Sequence, residues 1–199
     1  MDENEILLSC DRIDAELGRI RTLVGVPDES WAFPVGTSEA PPEKWYCAQY
    51  HTYAGSPSAG HTGIDLNLDR SPWGDVDRGF PVWAIAKGQV TSVNHSPGWV
   101  GVVVIRHEHQ GRPLWVRYAH LAPDSIVSYG QEVAPGELVG VIGNYIAGRG
   151  GDHLHFDMCR DAFSWSWYRT SGYDWVDPVP ILKAHLDPDR VDAMLRKGD

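Results

Sequence analysis

"GGDHLHFDM", residues 150 to 158, is the stretch from which this chain can be read. His153 and His155 stand one residue apart between apolar and acidic neighbours. In an extended strand alternate side chains leave on the same face, so both imidazoles point to one place. The runs that flank them are short and rich in Val, Ile and Trp: "VWAIAKGQVTSV" (82–93), "VGVVVIRHEH" (100–109), "LWVRYAHL" (114–121) and "GQEVAPGELVGVIGN" (130–144). The turn-rich "NHSPGW" joins the first two as neighbouring strands, and "GRP" reverses the chain into the third. The fourth reads as a further pair of short strands punctuated by Pro-Gly. The pattern predicts one mainly β domain of antiparallel sheets over residues 27–182.

The 199 residues suffice for one such domain and a sizeable core. A net charge of -10 argues against a nucleic-acid partner, because phosphates reward clustered Lys and Arg. No apolar run reaches membrane-spanning length, and the acidic start "MDENEILLSC" is unlike a signal peptide. Cys10, Cys47 and Cys159 form no CxxC pair and are odd in number, which fits a chain made in a reducing compartment.

Residues 1–26 are expected to be an amphipathic helix. Ile6, Cys10, Ile13, Leu17, Ile20 and Val24 alternate in steps of four and three, and Gly25 and Pro27 then stop the helix. Under three heptads is marginal alone, so this seam is expected to dock or self-associate. A C-terminal tail, 183–199, carries a second short helix in "DPDRVDAMLRKG", with Asp187 as cap, Pro188 in the first turn and Gly198 as stop.

The histidines sort by context. "HTGID" (61–65) places His61 and Asp65 four apart where a loop enters a strand, and in that geometry they share a face. Together with one imidazole of "HLH" they would make a three-ligand zinc site with an open fourth position. His120 in "YAHL" and the other "HLH" histidine remain for proton transfer and oxyanion stabilisation. "HEH" (107–109) fails the HExxH pattern, since residue 111 is Gly, and is read as a solvated, structural pair.

Taken in order, HxxxD, YxHL and GxHLHF resemble the lysostaphin-type, or LytM, zinc endopeptidases of family M23. The phrases "GHTGIDLNL", "FPVWAIAKGQVTSV", "VVVIRHE", "YAHL", "GQEVAPGELVGVIGN" and "GDHLHFDM" follow the family's order, over about residues 34 to 182. The resemblance implies an antiparallel β-sheet sandwich. It implies Zn2+ held by His61, Asp65 and His155, with His120 and His153 as metal-free catalytic histidines. It also implies hydrolysis of peptide cross-bridges in bacterial peptidoglycan, hence action at the cell wall. Without a signal peptide, a phage-encoded lysin is the expected source. The competing expectation is a degenerate, non-catalytic module of the same fold that binds peptidoglycan or regulates other hydrolases.

Two segments depart from the family pattern. "DRSPWGDVDRGF" (69–80) is a longer connection than usual, and "CRDAFSWSWYRTSGYDW" (159–175) is an aromatic-rich excursion. Trp165, Trp167 and Tyr168 would either wall a substrate groove or cover the sheet. The resemblance also implies a tyrosine shortly before HxxxD that helps the oxyanion, and Tyr50 and Tyr53 are the candidates for it.

Overall fold

The computed structural model describes residues 30–50, 61–68, 76–144, 151–163 and 172–195, apart from the side chains of 48–50 and 125. In chain order the first strands are β1 (Trp45–Tyr50), β2 (Gly63–Leu68), β3 (Pro81–Trp83), β4 (Gly88–Ser96) and β5 (Val100–His109). They are followed by β6 (Arg112–Leu121), β7 (Glu132–Val133), β8 (Leu138–Val141), β9 (Leu154–Cys159) and β10 (Trp175–Val176). Two short helices close the described chain, α1 (Pro178–His185) and α2 (Pro188–Leu195). The large sheet runs β1-β2-β9-β6-β5-β4-β7 with antiparallel neighbours throughout. β10 pairs with Met158 and Cys159, extending the edge of β9 whose first half pairs with β2. β3 and β8 form a separate antiparallel pair.

β9 is buried along its whole length, so both of its faces are covered. Leu154, Phe156 and Met158 point to the main core with Ile64, Leu66, Leu114, Val116, Tyr118, Val103 and Ile105. Burying each such side chain contributes roughly 1.5–3 kcal/mol. Val82 and Val139 of the small sheet belong to the same core, as do Ile181, Leu182, Val191 and Met194 of the helices. The second layer of the sandwich is therefore only two strands, completed by helices. The opposite face of the large sheet carries His155, Asp157, Asp65 and Arg117, all buried.

The hairpin between β5 and β6 turns on two residues, Gln110 and Gly111, both with positive φ (55° and 69°), as a type I′ turn requires. The expected strand 82–93 is two elements. Between β3 and β4 the run Ala84–Ala86 is wholly buried, and its backbone bonds leave the ladder: Ala84 N–H donates to Glu137 O, and Ile85 N–H to the Tyr118 hydroxyl. This run carries the chain from one sheet to the other. Likewise the two strands expected in 130–144 exist but do not pair; β7 joins β4 and β8 joins β3.

The reading of "HEH" as solvated is corrected. His107 and His109 are both buried, on the face of β5 opposite to exposed Glu108. His107 Nδ1 lies 3.0 Å from the Lys87 carbonyl, and Arg160 Nη2 donates to His109 Nδ1 at 2.7 Å. His109 also packs beside Trp31 and His185.

An additional helix, α1, crosses the boundary expected at 182 between the domain and the C-terminal tail. Both α1 and α2 begin Asp-Pro, with the aspartate capping: Asp177 Oδ1 accepts from Val179 N–H at 2.9 Å, and Asp187 Oδ1 from Asp189 and Arg190 N–H at 3.0 and 3.3 Å. Cys47 and Cys159 are both buried. The N-terminal seam, Gly198, Tyr53, the Tyr50 side chain, Trp165, Trp167 and Tyr168 lie outside the described residues. No helix among the described residues is long and apolar enough to cross a membrane.

Candidate metal centre

The register of three strands builds the site. Asp65 on β2 lies directly opposite His155 on β9, which lies opposite Ala119 on β6. On the next rung Gly63, Asp157 and Arg117 stand in line. Glycine is required at 63, because a Cβ there would sit 2.2 Å from the Phe156 carbonyl oxygen and 2.6 Å from the Asp157 Cβ. His61, two residues before β2, completes the group. Its Nε2 is 3.0 Å from Asp65 Oδ1 and 3.2 Å from His155 Nδ1, and Asp65 Oδ1 is 2.9 Å from that same Nδ1. One ligand atom from each of the three lies within 4.8 Å of the others, so together they could hold a metal ion.

Two imidazoles and a carboxylate suit zinc, and the ring nitrogens are arranged for it. His155 Nε2 is 3.0 Å from Asp157 Oδ2 and donates there, which leaves the Nδ1 lone pair facing His61 and Asp65. Burial works to raise the Asp157 pKa, but the Arg117 guanidinium holds it well below the ordinary carboxylate value. Asp65 is likewise held low, burial being outweighed by His153, His155 and His61. Burial alone would lower the His155 pKa; Asp157 and Asp65 raise it, so a metal there competes with a proton.

His120 reaches the same place by a backbone irregularity. Along β6, Ala119 is opposite Val102 and Leu121 is opposite Gly101, so His120 is an extra residue with no partner in β5. It has φ 66°, in the left-handed region. Such a bulge re-aims a side chain that strict alternation would send the other way. The His120 ring meets His153, with centroids 4.6 Å apart, and stacks on Trp99 at 5.6 Å. Its Nδ1 lies 3.2 Å from the Trp99 carbonyl, and His153 Nδ1 lies 2.6 Å from the Gly151 carbonyl. Both rings thus turn Nδ1 to a backbone carbonyl. Burial, then the neighbouring histidines, push the His120 pKa well below the usual value, so the ring is neutral at neutral pH. His153 Nε2 is 3.6 Å from Asp65 Oδ1.

All five residues singled out in the sequence therefore meet at one end of β2, β9 and β6. Asp157, Arg117, Thr62 and Trp99 were not singled out. Asp157 continues the alternation 153, 155, 157, and Arg117 is a charge set between Val116 and Tyr118 within β6. Both signals were available.

A model for "Peptidase family M23" matches residues 59–165. No curated protein sequence matches the chain. Among solved structures, LytU is similar at 27% identity and TM-score 0.51, covering 71% of this chain and 86% of its own. The antimicrobial peptidase lysostaphin from Staphylococcus simulans is similar at 24% identity and TM-score 0.52, covering 76% of this chain and 54% of its own. A zinc containing peptidase from Vibrio cholerae aligns at 23% identity and TM-score 0.47, over 66% of this chain; the chain spans only 37% of its length.

Proposed function

The chain belongs to peptidase family M23, and on that premise we propose that it is a zinc-dependent endopeptidase acting on the peptide cross-bridges of bacterial peptidoglycan, at the cell wall. The observation that carries this reading is the convergence of His61 Nε2, Asp65 Oδ1 and His155 Nδ1. These three would hold the ion. Bound there, zinc would act as a Lewis acid on the scissile carbonyl and make a water acidic enough to attack near neutral pH.

The chain's own part is proton management. His120, neutral and with Nε2 turned away from the Trp99 carbonyl, accepts a proton from the attacking water. His153, oriented by Gly151, faces the same place and donates a hydrogen bond to the developing oxyanion when protonated. As the C–N bond breaks, the proton taken from water passes to the leaving amine. Water oxygen ends on the new carboxyl group, which balances the hydrolysis.

The test is zinc analysis of the purified protein alongside dye release from labelled peptidoglycan, with and without a chelator. Zinc at one per chain and chelator-sensitive release are expected. Zinc-free protein, or release that a chelator leaves untouched, overturns the reading. Zinc-loaded protein that binds peptidoglycan and releases nothing is instead the non-catalytic module.

A further inference from the structure

Arg117 and Asp157 are fully buried and paired, both at 0% exposure. Taking two charges out of water costs about as much as their attraction returns, so such a pair is weak as a stabilising device. Its place in the fold gives it another use. The pair ends on His155, and everything around it restricts where the Asp157 carboxylate can point.

We propose that Asp157, Arg117 and Thr62 are positioning residues for the metal centre, fixing the His155 ring with Nε2–H on Asp157 and Nδ1 turned to the ion. The inference rests on the reading of His155 as a ligand. An imidazole can bind a metal through either nitrogen, and the hydrogen bond made by the other one decides which. Asp157 Oδ2, 3.0 Å from Nε2, is an acceptor and so holds the proton on Nε2.

A carboxylate alone could rotate away from this contact. Here Arg117 Nε donates to Oδ1 at 3.1 Å, and Arg117 Nη2 donates to Oδ2. The Thr62 hydroxyl donates to Oδ2 as well, and accepts from Arg117 Nη2 at 3.0 Å. Oδ1 is therefore held by Arg117, and Oδ2 by Arg117, Thr62 and His155 together. The guanidinium is itself held among rings, its central carbon 4.5 Å from the Trp99 centroid, 5.3 Å from Trp175 and 5.4 Å from Phe163. A planar fork can serve both oxygens and lie against rings at once, which a lysine ammonium cannot. Trp99 meets His155 edge-on at 5.3 Å and also stacks on His120, so it is shared between this assembly and the proposed base.

Zinc affinity of the full chain, measured by competition with a chromophoric chelator, tests this in wild type, Asp157→Asn, Arg117→Lys and Thr62→Val. It is combined with metal-free melting temperatures and long-range 1H–15N spectra of histidine-labelled, zinc-loaded protein. Wild type should show His155 ligated through Nδ1 with a proton on Nε2. Asp157→Asn and Arg117→Lys should weaken zinc by roughly 10–100-fold, the usual scale for residues behind a metal ligand, with Thr62→Val weaker in effect. The metal-free Thr62→Val protein keeps the Arg117–Asp157 pair and should melt closer to wild type than either charge variant; it decides the matter if the charge variants do not fold. Unchanged affinity in the folded variants, ligation through Nε2, or affinity loss seen only together with lost metal-free stability overturns the proposal. Zinc-free wild type would instead remove the metal-centre reading itself.

Discussion

The carbonyl of Trp99 accepts two hydrogen bonds from His120, one from its backbone N–H at 3.1 Å and one from its ring Nδ1 at 3.2 Å. A single oxygen thereby holds both the left-handed backbone of the bulge and the orientation of the ring. The His120 carbonyl is held in turn by Gly143 N–H at 2.7 Å. Strained backbone at a site persists only when its surroundings over-determine it, and here they do.

Gly101 is the residue that makes room for this bulge, because a Cβ on it would sit 2.5 Å from the Leu121 carbonyl oxygen. Gly101→Ala should destabilise the protein by about 1–3 kcal/mol through overpacking. It should also lower peptide hydrolysis while zinc content stays full. Urea unfolding, metal analysis and rate measurement on one preparation check this; full activity would show that the bulge tolerates a shift.

Four of the site residues should divide by metal content. His155→Ala and Asp65→Ala should lose zinc. His120→Ala and His153→Ala should keep it and hydrolyse roughly 10²-fold more slowly, the scale for removing one acid–base group. Zinc-replete His155→Ala beside zinc-free His153→Ala would reverse the assignment.

Away from the site, His107 should impose a pH dependence on stability. Burial pushes its pKa down to about 4, against the Lys87 and Ala86 carbonyls, which favour the charged form. Between the ordinary histidine value and about 4 the unfolded chain binds the extra proton. Stability from this group is therefore full above about pH 6.5 and falls by about 3 kcal/mol as the pH drops to 4. His120 acts in the same direction. Urea midpoints at pH 4.5 and 7 should differ less in His107→Gln than in wild type; equal differences would remove His107 as the cause.

The two helix caps are separable from all of this. Asp177→Ala and Asp187→Ala should each cost about 1 kcal/mol and leave zinc content and hydrolysis unchanged. Thermal melting beside an activity assay reads both.

Period-two alternation is most legible where a strand is regular. His155 and Asp65 meet because β9 and β2 are extended and paired in register, and their spacing in the chain says so. His120 was found by its motif, but its direction was not legible, since alternation places it on the core side and a one-residue bulge reverses that. The division of 82–93 between two sheets was hidden for a related reason. A run of consecutive buried residues looks like a buried strand whether it stays in one ladder or crosses between two. The second C-terminal helix was legible: Asp177-Pro178 repeats the signal read at Asp187-Pro188. "HEH" was misread because burial of a strand's second face depends on what the tertiary fold lays over it, here Trp31, His185 and Arg160.

The chain leaves β9 and returns to it at one point. Arg160 N–H donates to the Asp174 carbonyl at 2.8 Å, and Asp174 N–H to Asp161 Oδ2 at 2.7 Å, just beyond the pairing of Cys159 with Trp175. With its mouth tied shut, the stretch between contributes closure entropy that grows slowly, about 0.6 kcal/mol for each doubling of length. Phe163 covers Arg117. A change of chain length beyond this closure therefore costs little, and the rungs bearing His155 and Asp157 keep their register.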